Sequence, residues 1–190
     1  MKFRRILTVV AVALMLAAPQ LSRAQKLAVN YNAGDLVFLG TIGAGVDYAF
    51  AQHWSAGAEA RFNPWTFAPG DCSTQTEYRH QTYSLGVRYW PWYVYSGWFA
   101  GFKAQYQEYN RGGFGGRLRT EEGDAYGLGI DFGYAWMLTH SINLNLGLGV
   151  WGGYTKYTNY SCPYCGTITG RGSKPFILPN ELFIALVYVF

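Results

Sequence analysis

Beyond its first two dozen residues the chain is built on a period of two. In Thr41 to Phe50, the side chains Ile42, Ala44, Val46, Tyr48 and Phe50 alternate with Thr41, Gly43, Gly45, Asp47 and Ala49. Asp124 to Trp136 sets Tyr126, Leu128, Ile130, Phe132, Tyr134 and Trp136 against Gly127, Gly129, Asp131, Gly133 and Ala135, and Ile142 to Val150 sets four large aliphatic residues and Val150 against Asn143, Asn145, Gly147 and Gly149. Such alternation is the mark of a strand with one wholly apolar face. Leu27 to Ala33, Trp54 to Asn63, Arg79 to Tyr89, Trp98 to Tyr106 and Glu181 to Phe190 follow the same rule less strictly, so eight strands are predicted.

The second face decides the architecture. In a water-soluble sandwich the outer face would be long and polar. Here it consists of glycine, alanine, serine and a few charges, with glycines at 43, 45, 57, 86, 101, 127, 129, 133, 147 and 149. That suits the crowded interior of a small barrel, where inward positions must be small or packed on one another. The expected fold is therefore all-β: an eight-stranded antiparallel up-and-down transmembrane β-barrel with its apolar face toward lipid. A soluble lipocalin-like barrel, greasy inside, is the disfavoured alternative.

On this parity Asp47, Glu59, Arg61, Arg88, Lys103, Asp131 and Glu181 point inward. Buried charges persist when paired, which predicts a salt-bridged network filling the lumen rather than an open channel.

Connection lengths give an orientation. Ala51 to His53, Trp90 to Gly97 and Met137 to Ser141 are short; Gly34 to Gly40, Pro64 to Tyr78, Gln107 to Gly123 and Thr155 to Asn180 complete the alternation. Outer-membrane barrels pair short periplasmic turns with longer external loops, and an even strand count places both termini in the periplasm. Aromatics sort to strand ends accordingly. Tyr48, Phe50, Trp54, Tyr89, Trp98, Tyr134, Trp136, Tyr188 and Phe190 form an expected periplasmic girdle, and Phe62, Tyr83, Tyr106 and Tyr126 an outer one.

The N-terminus supports export. Lys2, Arg4 and Arg5 precede an uncharged apolar run from Ile6 to Ala18, too short for a comfortable membrane helix, and Ser22 and Ala24 supply the small residues of a cleavage site. Residues 1–24 are read as a signal peptide cleaved after Ala24, and 25–190 as the barrel. Of 15 basic residues in the 190-residue chain, Lys2, Arg4, Arg5 and Arg23 belong to the signal, which leaves 11 against 11 acidic ones. A neutral chain offers no footprint for polyanions, so nucleic acid is disfavoured as a partner.

Two resemblances follow from these residues. The terminal Leu182-Phe-Ile-Ala-Leu-Val-Tyr-Val-Phe190 resembles the C-terminal signal read by the barrel-assembly machinery, which implies that Tyr188 and Phe190 form the assembly signal, and the strand count resembles the OmpA/OmpX-type barrels. Asn63-Pro-Trp-Thr-Phe67, Arg88-Tyr-Trp-Pro91, Tyr109-Asn-Arg-Gly-Gly113, Gly133-Tyr-Ala-Trp136 and Cys162-Pro-Tyr-Cys-Gly166 together are similar to an uncharacterised Bacteroidetes domain-of-unknown-function family. That resemblance covers nearly the whole mature chain. It implies an outer-membrane barrel, in some members linked to fimbrial or surface structures, without assigned catalytic residues. Ile177-Leu-Pro-Asn180 departs from the Gly-Pro many members carry before the last strand.

Few residues suggest chemistry. Cys162-Pro-Tyr-Cys165 matches the glutaredoxin redox motif, but thiol activation there needs a helix N-terminus, and the following Gly166-Thr-Ile-Thr-Gly-Arg-Gly172 cannot form one. A loop disulfide between Cys162 and Cys165 is expected, with Cys72 left over; zinc would need four ligands. A lipid-modifying enzyme would need a histidine near the outer leaflet. Only His80 qualifies, with Glu77 and Asp71 as candidate partners, since His53 and His140 fall in periplasmic turns. The Gly/Arg-rich segment Tyr109 to Thr120, with Arg111, Arg117 and Arg119, lacks the lysine and helix of a phosphate loop and is read as a solvated external loop, with contact with lipopolysaccharide as the alternative. The reading is a non-enzymatic, cofactor-free outer-membrane barrel whose external loops serve a structural or surface-interaction role. A lipid-directed hydrolase or acyltransferase and a small pore are the alternatives.

Overall fold

The computed structural model describes residues 26–37, 39–67, 75–113, 120–162 and 166–190. Those residues form nine antiparallel strands: β1 (Leu27–Asn32), β2 (Ile42–Ala51), β3 (Trp54–Asn63), β4 (Thr66–Phe67), β5 (Thr76–Tyr89), β6 (Gly97–Gly112), β7 (Thr120–Met137), β8 (Ile142–Tyr160) and β9 (Ile168–Val189). A single 3-10 turn of helix, Ala33–Val37, joins β1 to β2. The sheet order is β3-β2-β1-β9-β8-β7-β6-β5-β4, and β3 also pairs with β5. β1 therefore bonds to both β2 and β9, and β3 to both β2 and β5.

The fold is the all-β, up-and-down sheet that alternation predicts, with differences in extent. The ninth strand, β4, is a two-residue addition on β5. More consequentially, most of Gln107 to Gly123 and Thr155 to Asn180, expected as loops, is strand: β6 and β7 remain paired up to Gly112↔Thr120, and β8 and β9 up to Tyr160↔Ile168. In these extensions neither face is continuously apolar, so the hydropathy contrast that betrays a strand fades although backbone pairing continues.

Parity holds throughout the lower sheet, and it is inside out. Leu85 is 68% exposed and Ile130 63%, whereas Asp131 and Lys103 are 5% and 4% exposed. Inward glycines make room for the charges. A Cβ built on Gly57 would strike the Asp47 carboxylate, one on Gly101 the Asp131 carboxylate, and one on Gly86 the Lys103 stem.

Outside, register aligns the aromatics. Tyr83 faces Tyr106, Tyr106 faces Tyr126, and Tyr126 faces Tyr154, so one tyrosine row crosses four neighbouring strands. A second group packs at the short-turn end, with Trp54 and Tyr89 rings 5.0 Å apart, Trp98 and Tyr134 5.1 Å, and Tyr134 and Trp136 5.4 Å. From Tyr126 to Trp136 the strand runs about 33 Å.

Candidate functional site

The site is the inward face, and it has three levels. At the short-turn end the connection from β5 to β6, expected as a simple periplasmic turn, folds inward. Trp90, Tyr95 and Phe99 are buried there with Ala28, Ala49, Ala135, Ala185, Val187 and Val189. The Trp90 ring lies tilted against Phe99 at 4.9 Å and edge-on to Tyr95 at 5.8 Å, and its indole N–H donates to Ser55 Oγ at 3.1 Å. The Tyr95 hydroxyl lies 3.0 Å from the Asp47 carbonyl and 3.1 Å from that of Lys26, either of which can accept from it. Asn143 Nδ2 donates to the Tyr95 carbonyl at 2.6 Å. Tyr95 has a φ of 65°, a left-handed conformation costly for a tyrosine, which these bonds hold in place.

Above this aromatic plug lies the charged level. Arg88 sits 5.3 Å above the Phe99 ring, donates from Nε to Asp131 Oδ2 at 3.0 Å, and approaches Asp47 Oδ1 at 3.5 Å. Asn30 Nδ2 donates to the other Asp47 oxygen at 2.8 Å. Arg61 Nε donates to Glu59 Oε1 at 2.8 Å and lies 3.4 Å from Asp35 Oδ2. Lys103 borders, with Asp47, Glu59, Arg88 and Asp131, a residual cavity of about 30 Å³. Six of the seven expected lumen charges thus converge. Glu181 pairs by its backbone with Gly149, and its side chain lies outside the described set. Asn30, on the inward face that alternation assigns it, joins the network, and Asp35 joins it without having been legible, because it belongs to the 3-10 segment rather than to any alternating strand.

The third level is open. Between the extended strands lies a chamber of about 170 Å³, bordered by Trp151, Phe176, Leu178 and Pro179 on one side and by Arg61, His80, Gln107 and Tyr109 on the other. A wider vestibule of about 940 Å³ above it shares Arg79, His80 and Tyr109. Its rim is braced by Glu121, which accepts from Arg111 Nη2 and Lys174 Nζ, each at 2.9 Å, and from the Tyr109 hydroxyl at 2.9 Å. Burial opposes ionisation of Glu121, but these three donors outweigh it and hold its carboxyl below the usual carboxylate range.

Of the residues weighed for the enzyme alternative, His80 and Glu77 are described and Asp71 is not. His80 packs edge-on against Tyr78 at 5.2 Å, while Glu77 accepts from Gln75 Nε2 at 2.7 Å. Asp71, Cys72, Cys165, Arg117, Arg119 and the cleavage site at Ala24 lie outside the described residues. At the C-terminus Tyr188 is exposed and its ring meets that of Phe190 edge-on at 4.7 Å.

A family described as "Protein of unknown function (DUF3575)" matches residues 9–190. The chain belongs to this family. No curated protein and no solved structure matches it. Membership agrees with the expected uncharacterised domain family, and the match takes in the three levels of the lumen together with the strands that build them.

Proposed function

We propose that the chain is a closed eight-stranded barrel of the bacterial outer membrane, formed by β1, β2, β3 and β5 to β9, with a blocked lumen and with its function carried at the external end. The observation that carries this reading is the inverted sheet, in which large apolar side chains are exposed while arginine, lysine and aspartate are buried. In water such a surface would drive association, whereas in a bilayer it is the solvent-matched one. The tyrosine row and the Trp/Tyr group match the two interfacial girdles. Strands tilted by about 40° would separate Tyr126 from Trp136 by about 25 Å in height, the thickness of such an apolar band.

The signal peptide, OmpA/OmpX-like character, periplasmic termini and recognition of Tyr188 and Phe190 by the assembly machinery belong to the same proposal. So does a role in surface or fimbrial interaction, with lipopolysaccharide as a neighbour of the external strands. A short bridge from Cys162, which is disulfide-bonded, to Cys165 is also part of the proposal, with Cys72 as the rival partner. The aromatic plug and the charged level favour a structural, non-enzymatic barrel over a pore.

Fractionation of cells making the full chain, followed by planar-bilayer recording of the purified protein, tests this reading. Recovery of a heat-modifiable protein beginning at Gln25 from the outer membrane, with no steady conductance, is expected. Recovery as a soluble protein would overturn it, and steady conductance would replace it with the pore.

A further inference from the structure

The chamber at the third level is not explained by a purely structural role. Below it the described residues pack closely: the plug is aromatic, and a cavity of about 30 Å³ remains at the charged level. The chamber retains about 170 Å³, comparable with cavities that accept a small apolar molecule. Its lining is divided. Trp151 and Phe176 rings meet edge-on at 4.5 Å and, with Leu178 and Pro179, form an apolar wall on β8 and β9. Arg61, Arg79 and Arg111 border it from β3, β5 and β6, and Lys174 from β9 itself, against one bordering carboxylate, Asp35; Glu59 and Glu121 stand beside these cations.

One edge of β9 is also left without a strand partner beyond the end of β1. The ladder between β9 and β1 ends at Asn32↔Ala185, while β9 continues along β8 to Tyr160↔Ile168. The edge of β9 that β1 leaves uncovered carries Pro175 and Pro179, residues suited to an unpaired edge. Beside it Leu36, Val37 and Ile177 are exposed, Ile177 to 80%. Leu178 lies both on this edge and on the chamber wall.

We propose that the chamber binds an anionic amphiphile, its alkyl segment against Trp151, Phe176 and Leu178 and its anionic group toward the cations at the rim. The chemistry is shared by an outer-leaflet lipid entering beside β9 and by a solute descending through the vestibule. The chamber itself does not require the strands to cross a membrane; only the lipid route rests on that reading.

The test uses the full chain in phosphatidylcholine nanodiscs, with fluorinated octanoate observed by fluorine NMR. Saturable binding of one octanoate per chain is expected, weaker binding of octyltrimethylammonium, and release of octanoate by a competitor. Competition by phosphatidylglycerol in the disc identifies the lipid route, and competition by soluble decanoate alone identifies the vestibule; either supports the site. Leu178→Asn should weaken octanoate about tenfold, and Lys174→Gln, at the half-exposed rim, about fivefold while leaving octanol binding unchanged. Absence of saturable octanoate binding, equal affinity for octyltrimethylammonium, or insensitivity to both substitutions would overturn the proposal. A chain that does not enter the discs fails the barrel reading and is titrated with octanoate in buffer instead, so failure to bind is distinct from failure of that reading.

Discussion

The two ends of the inward face share one strand parity and are filled in opposite ways. At the short-turn end Trp90 and Tyr95 turn in from a single connection and, with Phe99 of β6, pack on alanines and valines in an aromatic seal. At the long-strand end β5 to β9 continue upward, and what they enclose is a half-apolar, half-cationic chamber. The charged level between them faces both, with Arg88 above Phe99 and Arg61 below the chamber. The contrast shows that strand number alone does not decide how the inward face is filled. A turn that folds back can complete the packing at one end while longer strands leave space at the other.

The sharpest way to break this picture is to remove the cation in the middle. Arg88→Ala leaves Asp131 and Asp47 buried without their guanidinium, and it should destabilise the fold by about 3 to 5 kcal/mol. Urea unfolding in lipid vesicles measures this, and an unchanged midpoint would show that the network is not coupled to stability. Trp90→Ala comes next, at about 3 kcal/mol or somewhat more, because it opens a cavity in the seal and frees Ser55 Oγ. If the plug is the true barrier, this variant should also show transient conductance that Lys174→Gln does not.

At the rim the effects shrink. Glu121 has a depressed folded pKa, so its contribution is present above the ordinary carboxylate pKa and is lost as pH falls through the lower, folded value. Arg111 and Lys174 are each 43% exposed, so solvent screening holds Glu121→Gln to under about 1 kcal/mol. Amide exchange at the β7 and β8 tips should rise in acid for the native chain, while Glu121→Gln should already exchange fast at neutral pH. The smallest effect is expected from replacing Cys162 and Cys165 by serine. A ring that short removes little unfolded-chain entropy, so the loss should fall below the roughly 2 to 4 kcal/mol typical of disulfides. A large drop in the unfolding midpoint would point to Cys72 as the partner.

Much of the site was legible because a strand's period is rigid. Once Ile42, Val46 and Tyr48 are on one face, Gly43 and Asp47 must be on the other, and six inward charges followed from that rule alone. The loops were misjudged for the converse reason: above the tyrosine row neither face of β8 or β9 is uniformly apolar, so alternation carries no contrast while hydrogen bonding persists.

The sequence by itself determined which side chains share a face and where the aromatic rows fall, since both depend only on chain-local geometry. It also determined family membership. The tertiary structure alone decided that Arg88 chooses Asp131 and Asp47, that Asp35 reaches Arg61 from a 3-10 turn, and that Trp90 and Tyr95 seal one end. These depend on register between distant strands and on one left-handed backbone residue, Tyr95, whose conformation is imposed by its partners across the lumen rather than by its neighbours in the chain.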